Sequence, residues 1–66
     1  MLNKLKLARV ALGLTQEDVA RRIGVSRQTV NAMEQAKYVP STVLALKVAQ
    51  LFGKPVEELF ILEAED

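Results

Sequence analysis

Hydrophobic positions recur at helical spacing along this chain, and turn-forming residues interrupt them. The first segment runs from Asn3 to Leu12 in strong helix formers and stops at Gly13, which tolerates the left-handed conformation of a helix end. The second begins at Thr15, with Asp18 three residues later in a capping-box pattern, and ends at Gly24. We therefore predict two short helices at the start of the chain.

The third segment is amphipathic, with Ser26 placed to cap a helix that runs to about Gln35. At 100° per residue, Val30 and Met33 fall on one side. The outer side is polar but hardly charged and carries Arg27, Gln28, Asn31, Ala32 and Gln35. Helices 2 and 3, joined by a tight glycine turn, predict a helix-turn-helix over about residues 16–35.

The rest of the chain predicts two more helices and a strand. Helix 4 extends from a Ser41 cap to Phe52 and is apolar nearly all round, so it is either central or partly covered by another subunit. Pro55 fits position N1 of a short fifth helix. The alternation from Phe60 to Glu65 is a short strand signal. This strand must pair with residues 1–3, pair with its copy in a partner chain, or fray.

Composition narrows the class to one small all-α domain over residues 1–66. Because the chain has no Cys and no His, disulfides and the common zinc sites are excluded, and we expect no metal or cofactor. Self-association is the remaining source of stability for so small a core. No apolar run approaches the roughly 20 residues of a membrane span, and no secretory segment is present. We expect a soluble cytoplasmic protein that binds no small molecule.

The formal net charge of +1 understates the basic character of the chain. Five of its eight acidic residues lie in the last ten positions. Through Lys54 there are nine basic and three acidic residues, a balance of +6. This surplus suits a polyanionic partner, although a solvated surface would also explain it.

The outer face of helix 3 has the side chains that a major-groove reader needs. Arg27 can bind guanine O6 and N7, Gln28 or Asn31 can pair with adenine, and the Ala32 methyl can meet a thymine methyl. A merely solvated face would be expected to carry Glu and Lys instead. Candidates for the DNA backbone are Gln16, Ser26, Thr29, Gln35, Lys37 and Tyr38. Gln16 could instead be a simple helix-start residue, and Tyr38 could pack on the domain.

Two charged residues point inward instead. Arg9 shares a face of helix 1 with Leu5 and Leu12, and Glu34 borders the Val30 and Met33 face. We predict a structural ion pair that ties helix 1 to the end of helix 3.

These motifs resemble the phage-repressor and Cro-like (XRE) helix-turn-helix family. The resemblance spans about Leu5 to Phe60 and rests on Leu14 to Ala20, Ile23 to Val30 and Glu34. It is greatest to the small homodimeric repressors of the cytolysin-repressor type. It implies five helices of the lambda-repressor kind, a two-stranded antiparallel sheet from the chain ends, and an inverted-repeat operator on double-stranded DNA. It also implies a homodimer formed by elements within about residues 42–64; the interface residues we expect are Leu46, Leu59, Phe60, Ile61 and Leu62.

The loop after helix 3 departs from the family pattern. Ala36 stands where Gly or Asn is usual, so a left-handed turn there would be strained, and Val39 stands where Asn commonly precedes Pro40. Backbone contacts from this loop are therefore the least supported by the resemblance.

Two other function classes compete with a transcriptional repressor. One is a protein-binding module, such as an antitoxin that uses helix 4 and the tail rather than helix 3. The other is an enzyme, which we do not expect, because without His or Cys the remaining acids are scattered or adjacent and aimed apart.

Overall fold

The computed structural model describes residues 1–66 and contains five helices and a two-stranded antiparallel sheet, as predicted. The elements in chain order are β1 (Leu2–Asn3), α1 (Leu5–Ala11), α2 (Gln16–Ile23), α3 (Arg27–Glu34), α4 (Thr42–Phe52), α5 (Val56–Leu59) and β2 (Phe60–Ile61). None of these helices combines the length and the apolar character needed to cross a membrane.

Side-chain caps start the three longest helices where the sequence predicts them. The Thr15 hydroxyl accepts from the Asp18 amide at 3.0 Å, and the Asp18 carboxylate accepts from the Thr15 amide at 2.9 Å, which completes the capping box. The Ser26 hydroxyl accepts from the Thr29 amide to cap α3, and the Ser41 hydroxyl accepts from the Leu44 amide to cap α4. Each such cap contributes about 1 kcal/mol, so these helix starts are determined locally.

Two predicted helix starts are wrong by one or two residues. Helix α1 begins at Leu5 rather than Asn3, because Asn3 belongs to β1 and its side-chain oxygen accepts from the Leu5 amide at 3.2 Å. The same Asn3 side chain donates to the Met33 carbonyl at 2.7 Å, at the end of α3. Pro55 is the N-cap of α5 rather than its first helical residue, since its ψ of 149° is extended.

The core is a single apolar cluster to which every helix contributes. Its members are Leu5, Ala8, Val19, Ala20, Ile23, Val30, Met33, Leu44, Val48, Phe52 and Leu59. Met33 of α3 and Val48 of α4 are each only 1% exposed, so α3 is anchored firmly by its inner face. Leu59 is also 1% exposed, which corrects its assignment to the dimer interface: it packs inside its own chain, where a second subunit cannot reach it.

The terminal strands pair within the chain, which decides among the three alternatives left open by the sequence. Leu2 lies opposite Ile61 and Asn3 opposite Phe60, and the Lys4 amide extends the pairing by donating to the Leu59 carbonyl at 2.8 Å. The Met1 ammonium lies 2.9 Å from Glu63 Oε1 and 3.1 Å from Asp66 Oδ1. Hydrogen bonding to Glu63, and then to Asp66, raises the pKa of this ammonium above its ordinary value.

Candidate nucleic-acid interface

The turn between α2 and α3 sets the direction of the candidate reading helix. Gly24 ends α2 with a φ of +78°, a left-handed conformation that glycine adopts at little cost. Both the Gly24 and Val25 amides donate back to the Ala20 carbonyl, and Ser26 then begins α3. With α2 and α3 packed on each other, the first turn of α2 and the outer face of α3 lie on neighbouring surfaces.

The outer face of α3 is open to solvent where the sequence predicts base contacts. Arg27, Gln28 and Asn31 are exposed, and Ala32 is half-buried. Neither Arg27 nor Gln28 makes a side-chain hydrogen bond or an ion pair within the chain. Their polar groups are therefore available to an external partner without the loss of an internal bond.

The candidate backbone contacts differ in how free they are. The Ser26 hydroxyl caps α3 by accepting from the Thr29 amide at 3.1 Å, and it also lies 3.0 Å from the Thr29 hydroxyl, so both hydroxyls have partners within the chain. Lys37 and Tyr38 are both exposed in the loop that follows α3. This loop leaves the helix through Ala36, whose φ of +60° is the one positive value outside glycine. Ala36 therefore adopts the left-handed conformation, which is strained for a residue with a Cβ.

The expected contact between Arg9 and Glu34 is present and nearly dry. Arg9 donates from Nε to Glu34 Oε2 at 2.7 Å, from Nη2 to Oε1 at 3.2 Å, and from Nη1 to the Leu14 carbonyl at 3.0 Å. The two side chains are 13% and 5% exposed. The hydrogen bond to Glu34 raises the pKa of Arg9, so the guanidinium remains charged and holds α1 against the end of α3.

A hydrogen-bond chain links this ion pair to the outer face of α3, which sequence reasoning missed. The Gln16 amide nitrogen donates to Glu34 Oε1 at 3.1 Å and to Asn31 Oδ1 at 3.1 Å. Gln35 donates to the same Asn31 oxygen at 3.3 Å. The available signal was the three-residue spacing of Asn31 and Glu34, which places both on the side of α3 that meets the start of α2.

Large apolar side chains are also exposed on α4, in the loop before it and in the tail. Val39, Val43, Leu46 and Leu62 are 66%, 64%, 52% and 77% exposed. A groove beside Leu46 is lined by Pro40, Val56 and Phe60 among others. Phe60 and Ile61 are half-buried. Of the expected dimer-interface residues, Leu46 and Leu62 are therefore the most accessible.

The chain is similar in sequence to known helix-turn-helix proteins. A family model described as helix-turn-helix matches residues 5–59. Over all 66 residues, the chain is 52% identical to an uncharacterised HTH-type transcriptional regulator of Methanocaldococcus jannaschii, with the whole of both chains covered. It is 37% identical over 57 residues to the cryptic phage CTXphi transcriptional repressor RstR of Vibrio cholerae, covering 86% of this chain and 51% of RstR.

A solved structure with the same architecture is the restriction-modification controller protein C.AhdI from Aeromonas hydrophila. The two share 35% identity and a TM-score of 0.78, with 86% of each chain covered. The likeness therefore includes most of the helical arrangement as well as the sequence motifs.

Proposed function

Since the chain belongs to the helix-turn-helix family of DNA-binding transcriptional regulators, of the XRE type, we propose that it is a homodimeric repressor whose α3 helices read an inverted-repeat operator in the major groove. Helix α3 is the element that we place in the groove, while the first turn of α2 faces the phosphate backbone. We also propose that the protein is located in the cytoplasm, where it has access to DNA.

The observation that carries this proposal is the open, polar and nearly uncharged outer face of α3. Arg27 and Gln28 are exposed and unpaired at the N-terminal end of the helix, which is the end that contacts base edges in this docking geometry. We assign base contacts to Arg27, Gln28, Asn31 and Ala32. Backbone contacts are assigned to Gln16, Ser26, Thr29, Gln35, Lys37 and Tyr38.

The exposed apolar surface around Leu46, which includes Val39, Pro40 and Phe60, supports a dimer. Val39 and Leu46 are each more than half exposed and line one apolar groove, and a contiguous exposed apolar patch is typical of an interaction site. A second copy related by two-fold symmetry presents the same apolar surface in return. Binding adjacent half-sites of an inverted repeat requires the two reading helices to lie roughly 34 Å apart, one turn of the duplex.

Repression is the regulatory direction that we favour. The relative RstR is named as a transcriptional repressor. Occluding a promoter needs nothing beyond tight binding at the operator, whereas activation needs a further surface that recruits the transcription machinery.

Selection of bound sequences from random duplex DNA at about physiological salt tests the reading helix. We expect an inverted repeat for the wild type, and for Gln28→Ala the loss of preference at one base pair in each half-site. Gln50→Ala, on the exposed polar side of α4, is the matched control and should leave the selected sequence unchanged. If the wild type enriches no sequence above non-specific binding, α3 is not a reading helix.

Sedimentation velocity at low micromolar concentration tests the dimer. Leu46→Glu places a charge in the proposed interface and should shift the protein to monomer. The same change at Leu7, which is 70% exposed on α1, is the matched control and should not. A wild-type protein that sediments as a monomer at these concentrations contradicts the dimer. The role of α3 in base reading is tested separately by the selection of bound sequences.

A further inference from the structure

The hydrogen-bond chain behind α3 determines which atoms of Asn31 are left to meet DNA. Amide side chains carry both a donor and an acceptor, so their partners decide which end faces outward. In this hydrogen-bond chain the first group, the Arg9 guanidinium, has only one possible hydrogen-bonding role. The Arg9 guanidinium only donates, and it binds both oxygens of the Glu34 carboxylate, which only accepts.

The Glu34 carboxylate fixes the orientation of the Gln16 amide. The Gln16 atom that lies 3.1 Å from Glu34 Oε1 must be the nitrogen, because an amide oxygen would be repelled there. The same nitrogen lies 3.1 Å from an Asn31 side-chain atom, which must therefore be the acceptor oxygen Oδ1. Arg9 thus fixes the orientation of the Asn31 amide through Glu34 and Gln16.

Asn31 is left with donors only. Its Oδ1 accepts from Gln16 and from Gln35, at 3.1 and 3.3 Å, which uses both of its lone pairs. Its Nδ2 group makes no hydrogen bond in the chain and belongs to an exposed residue. The bidentate contact with adenine expected from the sequence needs a free acceptor as well as a donor, and this arrangement does not offer one.

We propose that Gln16 is a positioning residue that turns Asn31 into a donor-only reader, so that Asn31 selects guanine over adenine. This inference rests on the proposed function, since it assumes that α3 lies in the major groove. Guanine presents two adjacent acceptors, O6 and N7, to an NH₂ group. Adenine presents N7 beside the N6 amino group, and this donor opposes the donor of Asn31.

The role of Gln16 changes accordingly. Both hydrogens of its side-chain amide are engaged, by Glu34 and Asn31, so the side chain has no donor left for a phosphate. As the first residue of α2, it still has a backbone N–H without a helical partner, and this group can donate to the DNA backbone. Its side chain therefore acts on specificity, and its main chain on affinity.

The test compares selected sequences for the wild type, Asn31→Ala and Gln16→Met. Asn31→Ala identifies the base pair that Asn31 reads, because preference there is lost. We expect that pair to be G·C in the wild type. Gln16→Met keeps the helical preference and length of the side chain but removes its amide. Asn31 Oδ1 then keeps only the longer, exposed contact with Gln35, whose own amide is free to turn, so Asn31 can turn over. The G-to-A preference at that one pair should fall about tenfold, the value of one good contact.

Controls separate this inference from a general loss of binding. Gln50→Met makes the same chemical change at an exposed position on α4 and should leave the selection unaltered. Circular dichroism establishes that each variant is folded. A merely structural or phosphate-binding Gln16 would lower affinity for all sequences equally and leave the G-to-A ratio as it was, and that result overturns the proposal.

Two further outcomes also overturn it, and they do not depend on how well Gln16→Met folds. One is an A·T pair at the position that Asn31→Ala relaxes, which would mean that Asn31 uses its acceptor. The other is that Asn31→Ala relaxes no position while the wild type still selects an inverted repeat, in which case the proposed function stands without this reader. If the wild type selects nothing, both fall together.

Discussion

Replacing Arg9 with methionine should destabilise the domain strongly, because it leaves the Glu34 carboxylate buried without its cation. The Glu34 side chain is 5% exposed, and after the substitution its one remaining side-chain partner is the Gln16 amide. The Leu14 carbonyl also loses its 3.0 Å hydrogen bond. Breaking one side of a buried pair costs about 3–5 kcal/mol. We take about 3 kcal/mol, since Arg9 itself is 13% exposed.

Thermal unfolding followed by far-UV circular dichroism at pH 7 measures this cost. For a domain of this size, a loss of about 3 kcal/mol lowers Tm by roughly 15 °C. Arg21→Met is the matched control. Arg21 forms an exposed pair with Asp18 at 3.1 Å, with 73% of its side chain accessible, so its removal should cost less than about 1 kcal/mol.

The double variant Arg9→Met with Glu34→Met isolates the unpaired charge. Because it removes the buried carboxylate together with its partner, it should recover at least about 1 kcal/mol relative to Arg9→Met alone. The reasoning is refuted if Arg9→Met lowers Tm no more than Arg21→Met does. It is equally refuted if adding Glu34→Met makes the single variant worse.

Three other predictions follow from individual residues. Ala36→Gly should raise stability by about 1 kcal/mol, measured by urea unfolding, because Ala36 holds a φ of +60° that glycine adopts freely; a loss of stability would show that no strain is relieved. Leu59→Ala should cost about 2–5 kcal/mol by the same assay, as its side chain is 1% exposed, and a cost below 1 kcal/mol would contradict its place in the core. Hydrogen bonds from the Thr15 backbone and then its side chain lower the pKa of Asp18 below its ordinary 3.8, so its stabilising contribution is fully present above that value and is lost as pH falls through the native pKa. The Tm difference between wild type and Asp18→Asn should therefore be constant from neutral pH to about pH 5 and shrink below about pH 4; a difference that persists at low pH would exclude ionised Asp18 as its source.

Most of the fold could be predicted from local signals. Ser26, Ser41 and Gly53 are helix-boundary residues whose effect depends on their immediate neighbours alone, and the helices begin and end at them. Helix α1 could not be bounded as well, because its start depends on Asn3 pairing with Phe60 far along the chain. Alternation after Phe60 indicated a strand, but a strand signal does not say which edge it will pair with.

The residues of the candidate site could be predicted from the sequence, but the hydrogen-bond orientation of their amide groups could not. Helical periodicity sufficed to place Arg27 and Gln28 outside and to turn Glu34 towards Arg9, because it assigns each residue to a face. The contact between Gln16 and Asn31 depends on the crossing of two helices and on two side-chain rotamers. Periodicity carries no information about either. Leu59 was misassigned for a related reason, since an apolar residue near a chain end can pack inward or outward.

The side chain of Asn3 links the terminal sheet to the end of α3, so we expect the local unfolding of these two segments to be coupled. It belongs to β1, yet its amide donates to the Met33 carbonyl in the last turn of α3. Opening the sheet therefore removes a bond from that turn, and the two segments should fluctuate together rather than fray separately. Native-state hydrogen exchange would then report a common opening free energy for amides of β1, β2 and the end of α3. Any contact that holds the tail closed, including one from a second subunit, would in consequence raise the opening free energy of the helix that we propose for base reading.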